Sequence, residues 1–220
     1  MSNKNPIDDL QHIRKLMEDS SKFLSLSGLS GIFAGLTAIG GAVLAHYQIK
    51  TFNTRFVHYV ATGKIETANT ELEIRLLLIA AAVLILAMGF GILFSAIKAK
   101  KHQQKLLTPV AYRVLRSLLV PLAFGGLFVI ALIKQGHNGY PVFHLIAPAM
   151  LIFYGMALLN VSKYLTVEIK YLALSELLLG AYLAFFPGNG LIIWAIGFGI
   201  FHIVYGAVMY FKYEYTRKSK

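Results

Sequence analysis

The chain has 220 residues, 57% of them hydrophobic and only 14% charged, whereas a soluble domain carries about 25% charged and about 45–50% apolar residues. Its formal charge is +11 and it has no cysteine, which excludes a disulfide framework, a thiolate metal site and a cysteine nucleophile. The apolar surplus falls in blocks that meet the roughly 20-residue length needed to cross a bilayer, so the expected class is all-α, a polytopic membrane helical bundle. A β-barrel would need short alternating segments instead.

In chain order, residues 1–23 read as a cytoplasmic amphipathic helix. In "NPIDDLQHIRKLMEDSSKFL", Asn5 suits an N-cap, Pro6 suits the first helical position, and Asp8 and Asp9 complement the helix dipole. Ile7, Leu10, Ile13, Met17 and Leu24 recur at helical spacing. One reading lays this helix on the inner leaflet; the other makes it a docking helix for a cytoplasmic protein partner. Four acids (Asp8, Asp9, Glu18 and Asp19) precede the first apolar block, so a cleaved secretory signal is not expected.

Six transmembrane helices are expected within residues 24–211: Leu24–His46, Ile74–Ile97, Val114–Ile133, Phe143–Val161, Tyr171–Phe186 and Leu191–Phe211. A basic cytoplasmic tail, 212–220, closes the chain. The longest outer loop is expected over Tyr47–Glu73, with Phe52, Phe56, Tyr59 and Val60 dipping into the interface and Asn69-Thr70 marking the second helix start. "PGNG" (Pro187–Gly190) is a tight turn, and short turns group the spans as three hairpins. Phe90-Gly91, Tyr154-Gly155 and Tyr205-Gly206 sit at similar depths, each followed by Lys98, Lys163 or Lys212. A threefold hairpin repeat explains that recurrence, and so does the ordinary abundance of glycine and aromatics in membrane helices.

The charges set an orientation. Sixteen basic residues fall at one end of the expected spans and 5 (Lys50, Arg55, Lys64, Arg75 and Lys134) at the other, which accounts for all 21. Basic residues favour cytoplasmic loops, so both termini are expected in the cytoplasm and the positive charge is a topology signal, not a nucleic-acid footprint. "KAKKHQQK" (Lys98–Lys105) also suits anionic headgroups, at about 1 kcal/mol per basic residue.

Helix faces supply the candidate site. Gly28, Gly31, Gly35, Ala38 and Ala42 form a stripe of small residues, read first as packing within the chain and second as the seam of a homo-oligomer. Glu176 shares a line with Ala173, Gly180 and Ala184; His202 shares one with Gly199 and Gly206. Counting from the flanking lysines puts Glu176 about 9 Å, Tyr205 about 10 Å and His202 about 15 Å from the inner boundary. Arg116, near the inner end of the third span, is expected to reach towards the acid. An acid facing lipid costs about 2.5–3.5 kcal/mol, a penalty avoided by turning into the bundle. Glu176, His202, Tyr205 and Arg116 are therefore the intramembrane polar site. Three roles stay open for its acid: a structural contact to Arg116 or Tyr205, a proton relay or substrate site, or snorkelling to the surface.

His46, His58, His137 and His144 map to the outer end, and His12 and His102 to the inner. Their spacing shows no compact ligand pattern, so no metal or cofactor is expected; acid sensing or a haem held by His46 are weaker readings. No phosphate-binding loop, dinucleotide fingerprint or zinc-protease motif occurs, and no base pairs with Ser25, Ser27 or Ser30, so no catalytic residue is assigned.

"IRKLMEDSSKFLSLSGLSGIFAG" (Ile13–Gly35), ahead of five further spans, resembles a family of small bacterial six-helix inner-membrane proteins without an assigned role. "LLLGAYLAFFPGNG" and "IGFGIFHIVYGAVMY" are similar to the helical hairpins of small acid-resistance membrane proteins. These resemblances imply a bacterial inner (plasma) membrane and a stress-related role. The first expected function is a membrane-embedded interaction or sensing protein with a cytoplasmic partner. A small proton-linked transporter or channel using Glu176 comes second, and a histidine-based metal or haem protein third.

Overall fold

Apolar runs must satisfy their own backbone groups, and a helix does so within one segment. The computed structural model describes residues 27–101 and 108–215, and in these every long apolar block is a helix, with no strand. We number them α1 (Gly28–Ala61), α2 (Ile65–Lys101), α3 (Pro109–His137), α4 (Phe143–Tyr164, with a 3-10 turn at each end), α5 (Glu168–Phe185) and α6 (Gly190–Tyr215). Five of them, all but α5, are long and apolar enough to cross a membrane by length and composition. The fifth has only 18 residues and carries Glu168, Lys170 and Glu176. The amphipathic helix expected over 1–23, His12, His102 and the tail beyond 215 lie outside the described residues.

The expected outer loop over Tyr47–Glu73 is corrected. Helix α1 continues through it to Ala61 and α2 begins at Ile65, so only Thr62, Gly63 and Lys64 separate them. Nothing between Tyr47 and Ala61 breaks a helix: the stretch has no proline or glycine, and the Thr54 hydroxyl bonds back to the Lys50 carbonyl. The break comes at Gly63, whose φ of 65° suits a residue without Cβ. Apolarity, which marks membrane depth, had ended earlier than the helix did. At about 1.5 Å per residue the 34-residue α1 and 37-residue α2 are each roughly 50–55 Å long, well beyond a core of about 30 Å. Arg75 joins them, donating to Gln48 Oε1 at 3.1 Å.

The helices run up and down. Helix α1 packs on α2 and on α6, α3 packs on α4, and α4 packs on α5; α5 and α4 also meet α6. The closest approach is between α1 and α6. An ideal Cβ on Gly206 would lie 2.5 Å from Ile32 N and 2.6 Å from Gly28 O, and one on Gly35 would lie 2.5 Å from Gly199 O. The small-residue stripe of α1 thus seats the backbone of its own chain's α6. The expected threefold repeat finds no common packing: Gly155 and Gly206 sit at tight contacts, whereas a Cβ on Gly91 would meet nothing within 4 Å.

At the end of the bundle that carries Lys98, one carboxylate joins three helices. Glu214, near the end of α6, accepts from the Gly28 backbone N–H at 2.8 Å and the Ser27 hydroxyl at 3.4 Å, and lies 3.2 Å from Lys98 Nζ of α2. An acid at a helix N-terminus satisfies an orphan donor and complements the dipole. Glu214→Ala is expected to lose about 1–2 kcal/mol of stability, read as a lower melting temperature in detergent, with Glu214→Gln losing less.

Candidate functional site

The site forms where α4, α5 and α6 meet. Gly180 of α5 lies against Ile152 and Leu151 of α4, and Gly155 of α4 lies against Ala173 and Leu177 of α5, so small residues bring the two helices close. Glu176 is held between them and α6, with 0% exposure. Neither carboxylate oxygen has a hydrogen-bond partner among the described residues. Helix α6 supplies its seat: an ideal Cβ on Gly197 would lie 2.5 Å from Glu176 Oε2 and 2.7 Å from Leu151 Cδ2. On the Gly197 side of this acid there is no room even for a methyl group.

Residues Ile196–Phe201 of α6 form a π-helical turn, a widened geometry that recurs at functional sites. Across it, His202 Nδ1 lies 3.1 Å from the Gly197 carbonyl and 3.5 Å from Glu176 Oε1. A carbonyl only accepts, so Nδ1 carries a hydrogen and donates to Gly197. In the neutral ring Nε2 is then the acceptor, and the Tyr154 hydroxyl, 2.7 Å away, donates to it. Tyr154, His202 and Glu176 therefore form a chain of three titratable groups in a buried core. Phe198 stacks on His202 with centroids 6.1 Å apart, and touches both Tyr154 and Trp194, the chain's single tryptophan.

The four expected site residues separate into two that meet and two that do not. Glu176 and His202 adjoin each other. Tyr205 makes no hydrogen bond to the acid: its ring packs on Leu165, Ile169 and Val161 and on the Leu158–Leu172–Ala173 cluster, and its buried hydroxyl has no hydrogen-bond partner among the described residues. Arg116 is also not at the acid. It is exposed on α3 and lines a groove with Arg113 and Asn160, so no Glu176–Arg116 contact forms. Helical rise places a residue along the axis but not around the bundle, which is why both were assigned inwards. Tyr154 was missed as a site residue. Its signal was its depth on α4, noticed only as part of the repeat.

The four histidines expected at the outer end do not gather. His46, His58, His137 and His144 are each exposed, and His137 Nε2 lies 2.6 Å from Glu73 Oε2, joining α3 to α2. No cluster of three metal-ligating side chains occurs among the described residues.

The fold and site define an all-helical protein with several long apolar helices around a buried carboxylate–imidazole–phenol chain. No protein-family model, curated protein or solved structure matches it.

Proposed function

We propose that this chain is a multi-pass protein of a bacterial inner membrane, with both termini cytoplasmic, and that it senses protons through Glu176, His202 and Tyr154. The membrane assignment rests on the long apolar helices and on the one-sided basic charge. The observation that carries the function is the seat of Glu176: a fully buried acid with no hydrogen-bond partner among the described residues, against which even a methyl on Gly197 would collide. Intramembrane acids of this kind are expensive and default to functional roles.

The chemistry is a choice of hydrogen-bond partner. When Glu176 is neutral, the His202 Nδ1–H stays on the Gly197 carbonyl at 3.1 Å. When the acid is charged, its strongest available donor is the same N–H, 3.5 Å away, and a small ring rotation takes that hydrogen from carbonyl to carboxylate. Proton binding thereby alters the π turn of α6, which packs on α1. Among the described residues no other charged group pairs with the acid, and its titratable neighbours are His202 of α6 and Tyr154 of α4. The basic inner end and segment 1–23 are where a cytoplasmic partner would read the change.

Trp194, joined to the site through Phe198, provides the test. Its fluorescence in the detergent-solubilised protein is expected to change sigmoidally with pH, and Glu176→Gln, which keeps shape without charge, is expected to abolish the change. Superimposable curves for the two proteins would overturn the proposal. The three-group chain also favours a second reading, proton-linked transport. In sealed vesicles with a trapped pH dye, a pH jump that relaxes faster with wild type than with Glu176→Gln establishes transport.

A further inference from the structure

A second polar site lies away from Glu176, at the inner ends of α3 and α4. Arg113, Arg116, Ser117 and Val120 of α3, with Asn160 and Tyr164 of α4, line a groove of about 410 Å³. Arg113 and Arg116 are three residues apart on one helix face, so both guanidinium groups serve the same groove. Neither forms an ion pair with a carboxylate among the described residues. The groove is held in shape by Asn160, whose Nδ2 donates to the Ser117 carbonyl at 2.9 Å. Lys163 Nζ lies 5.6 Å above the ring of Tyr164, one of the lining residues.

From this arrangement we infer that the groove binds a phosphate-bearing anion, with Arg113 and Arg116 gripping the phosphate oxygens and Tyr164 closing one side. Two planar guanidinium forks suit phosphate oxygens better than any other common anionic group except carboxylate. Carboxylate is disfavoured because a groove open to the basic inner end meets phosphate as the dominant anion of a membrane surface. Above the arginines the same face of α3 turns apolar. Val120 lines the groove, and Phe124, one turn further and 64% exposed, continues it. A charged mouth continued by an exposed apolar face matches a lipid, headgroup on the arginines and acyl chain along α3. Free phosphate shares the headgroup chemistry but has no use for the apolar extension. This inference is independent of the proton-sensing site, and only its lipid form needs the membrane reading.

The test is native mass spectrometry of the full-length, delipidated protein, titrated with phosphatidylglycerol, with phosphatidylcholine and, separately, with inorganic phosphate. Wild type is expected to hold phosphatidylglycerol more tightly than phosphatidylcholine, and Arg113→Gln/Arg116→Gln to weaken it about 30-fold, two cations' worth of surface attraction. Lys50→Gln/Arg55→Gln, at the other end of the molecule, is expected to leave it unchanged. Binding of inorganic phosphate but not phosphatidylglycerol, lost in the same double variant, would support the anion site with a soluble source. Equal affinities for the two lipids with no phosphate binding, or binding that the double variant leaves intact, overturns the site. Arg113→Lys/Arg116→Lys guards against misfolding: it keeps the charge, loses the fork, and is expected to fall between the two extremes.

Discussion

Gly206→Ala is expected to destabilise the bundle by about 3 kcal/mol, while Gly91→Ala, a chemically identical change on another helix, is expected to alter stability by less than about 0.5 kcal/mol. The contrast follows from what each new methyl meets. At Gly206 it would lie 2.5 Å from Ile32 N, 2.6 Å from Gly28 O and 2.9 Å from Gly31 C, all backbone atoms of α1. Backbone atoms have no rotamer into which to retreat, so the helices must separate. That separation loses the contacts of Gly28, Gly31 and Gly35 together, because each abuts α6 along the same seam. At Gly91 the methyl meets nothing within 4 Å. Unfolding of both variants in mixed micelles, against wild type, measures the difference. Equal effects in the two variants would mean that close packing at Gly206 does not set the loss, since alanine's better helix propensity favours both variants alike. In lipid the stakes are higher than in water, because helices there associate through packing with no hydrophobic effect between them.

The small-residue stripe of α1 was legible because it is local in sequence, although its α6 partner was not. Steps of three and four put Gly28, Gly31 and Gly35 on one face whatever the partner, and the same spacing put Glu176 and His202 on small-residue faces. What was illegible is azimuth and partner. Tyr154 comes to His202 only because α4 packs on α5 and meets α6, a tertiary fact with no sequence period. Arg116 faced a groove instead of the acid for the same reason. Glu214 was hidden differently: its partners, the adjacent Ser27 and Gly28 and the separate Lys98, lie on two segments far from it in the chain. The length of α1 was misjudged because hydropathy and helicity were treated as one boundary. Gly63, the only glycine between Gly41 and Gly89, was the available sign of the true turn.

The π turn gives the second large prediction. Gly197→Ala is expected to lose about 2–3 kcal/mol, since its methyl would lie 2.5 Å from Glu176 Oε2 and 2.7 Å from Leu151 Cδ2. Leu151 and Glu176 are both fully enclosed, at 0% exposure, so neither yields without disturbing the core, and the carboxylate, the nearer of the two, is displaced first. Displaced, it no longer lies against the His202 N–H, and the pH response of Trp194 is expected to vanish with the lost stability. A double-mutant cycle separates this from general damage. Glu176→Ala alone leaves a cavity and is itself destabilising. In Gly197→Ala/Glu176→Ala, however, the new methyl enters the space the carboxylate left, so the combined loss is expected to fall short of the sum by about 1–3 kcal/mol. Additive losses would mean that Gly197 and Glu176 do not share one packed site, and the argument from the tight seat of the acid against α6 would go with them.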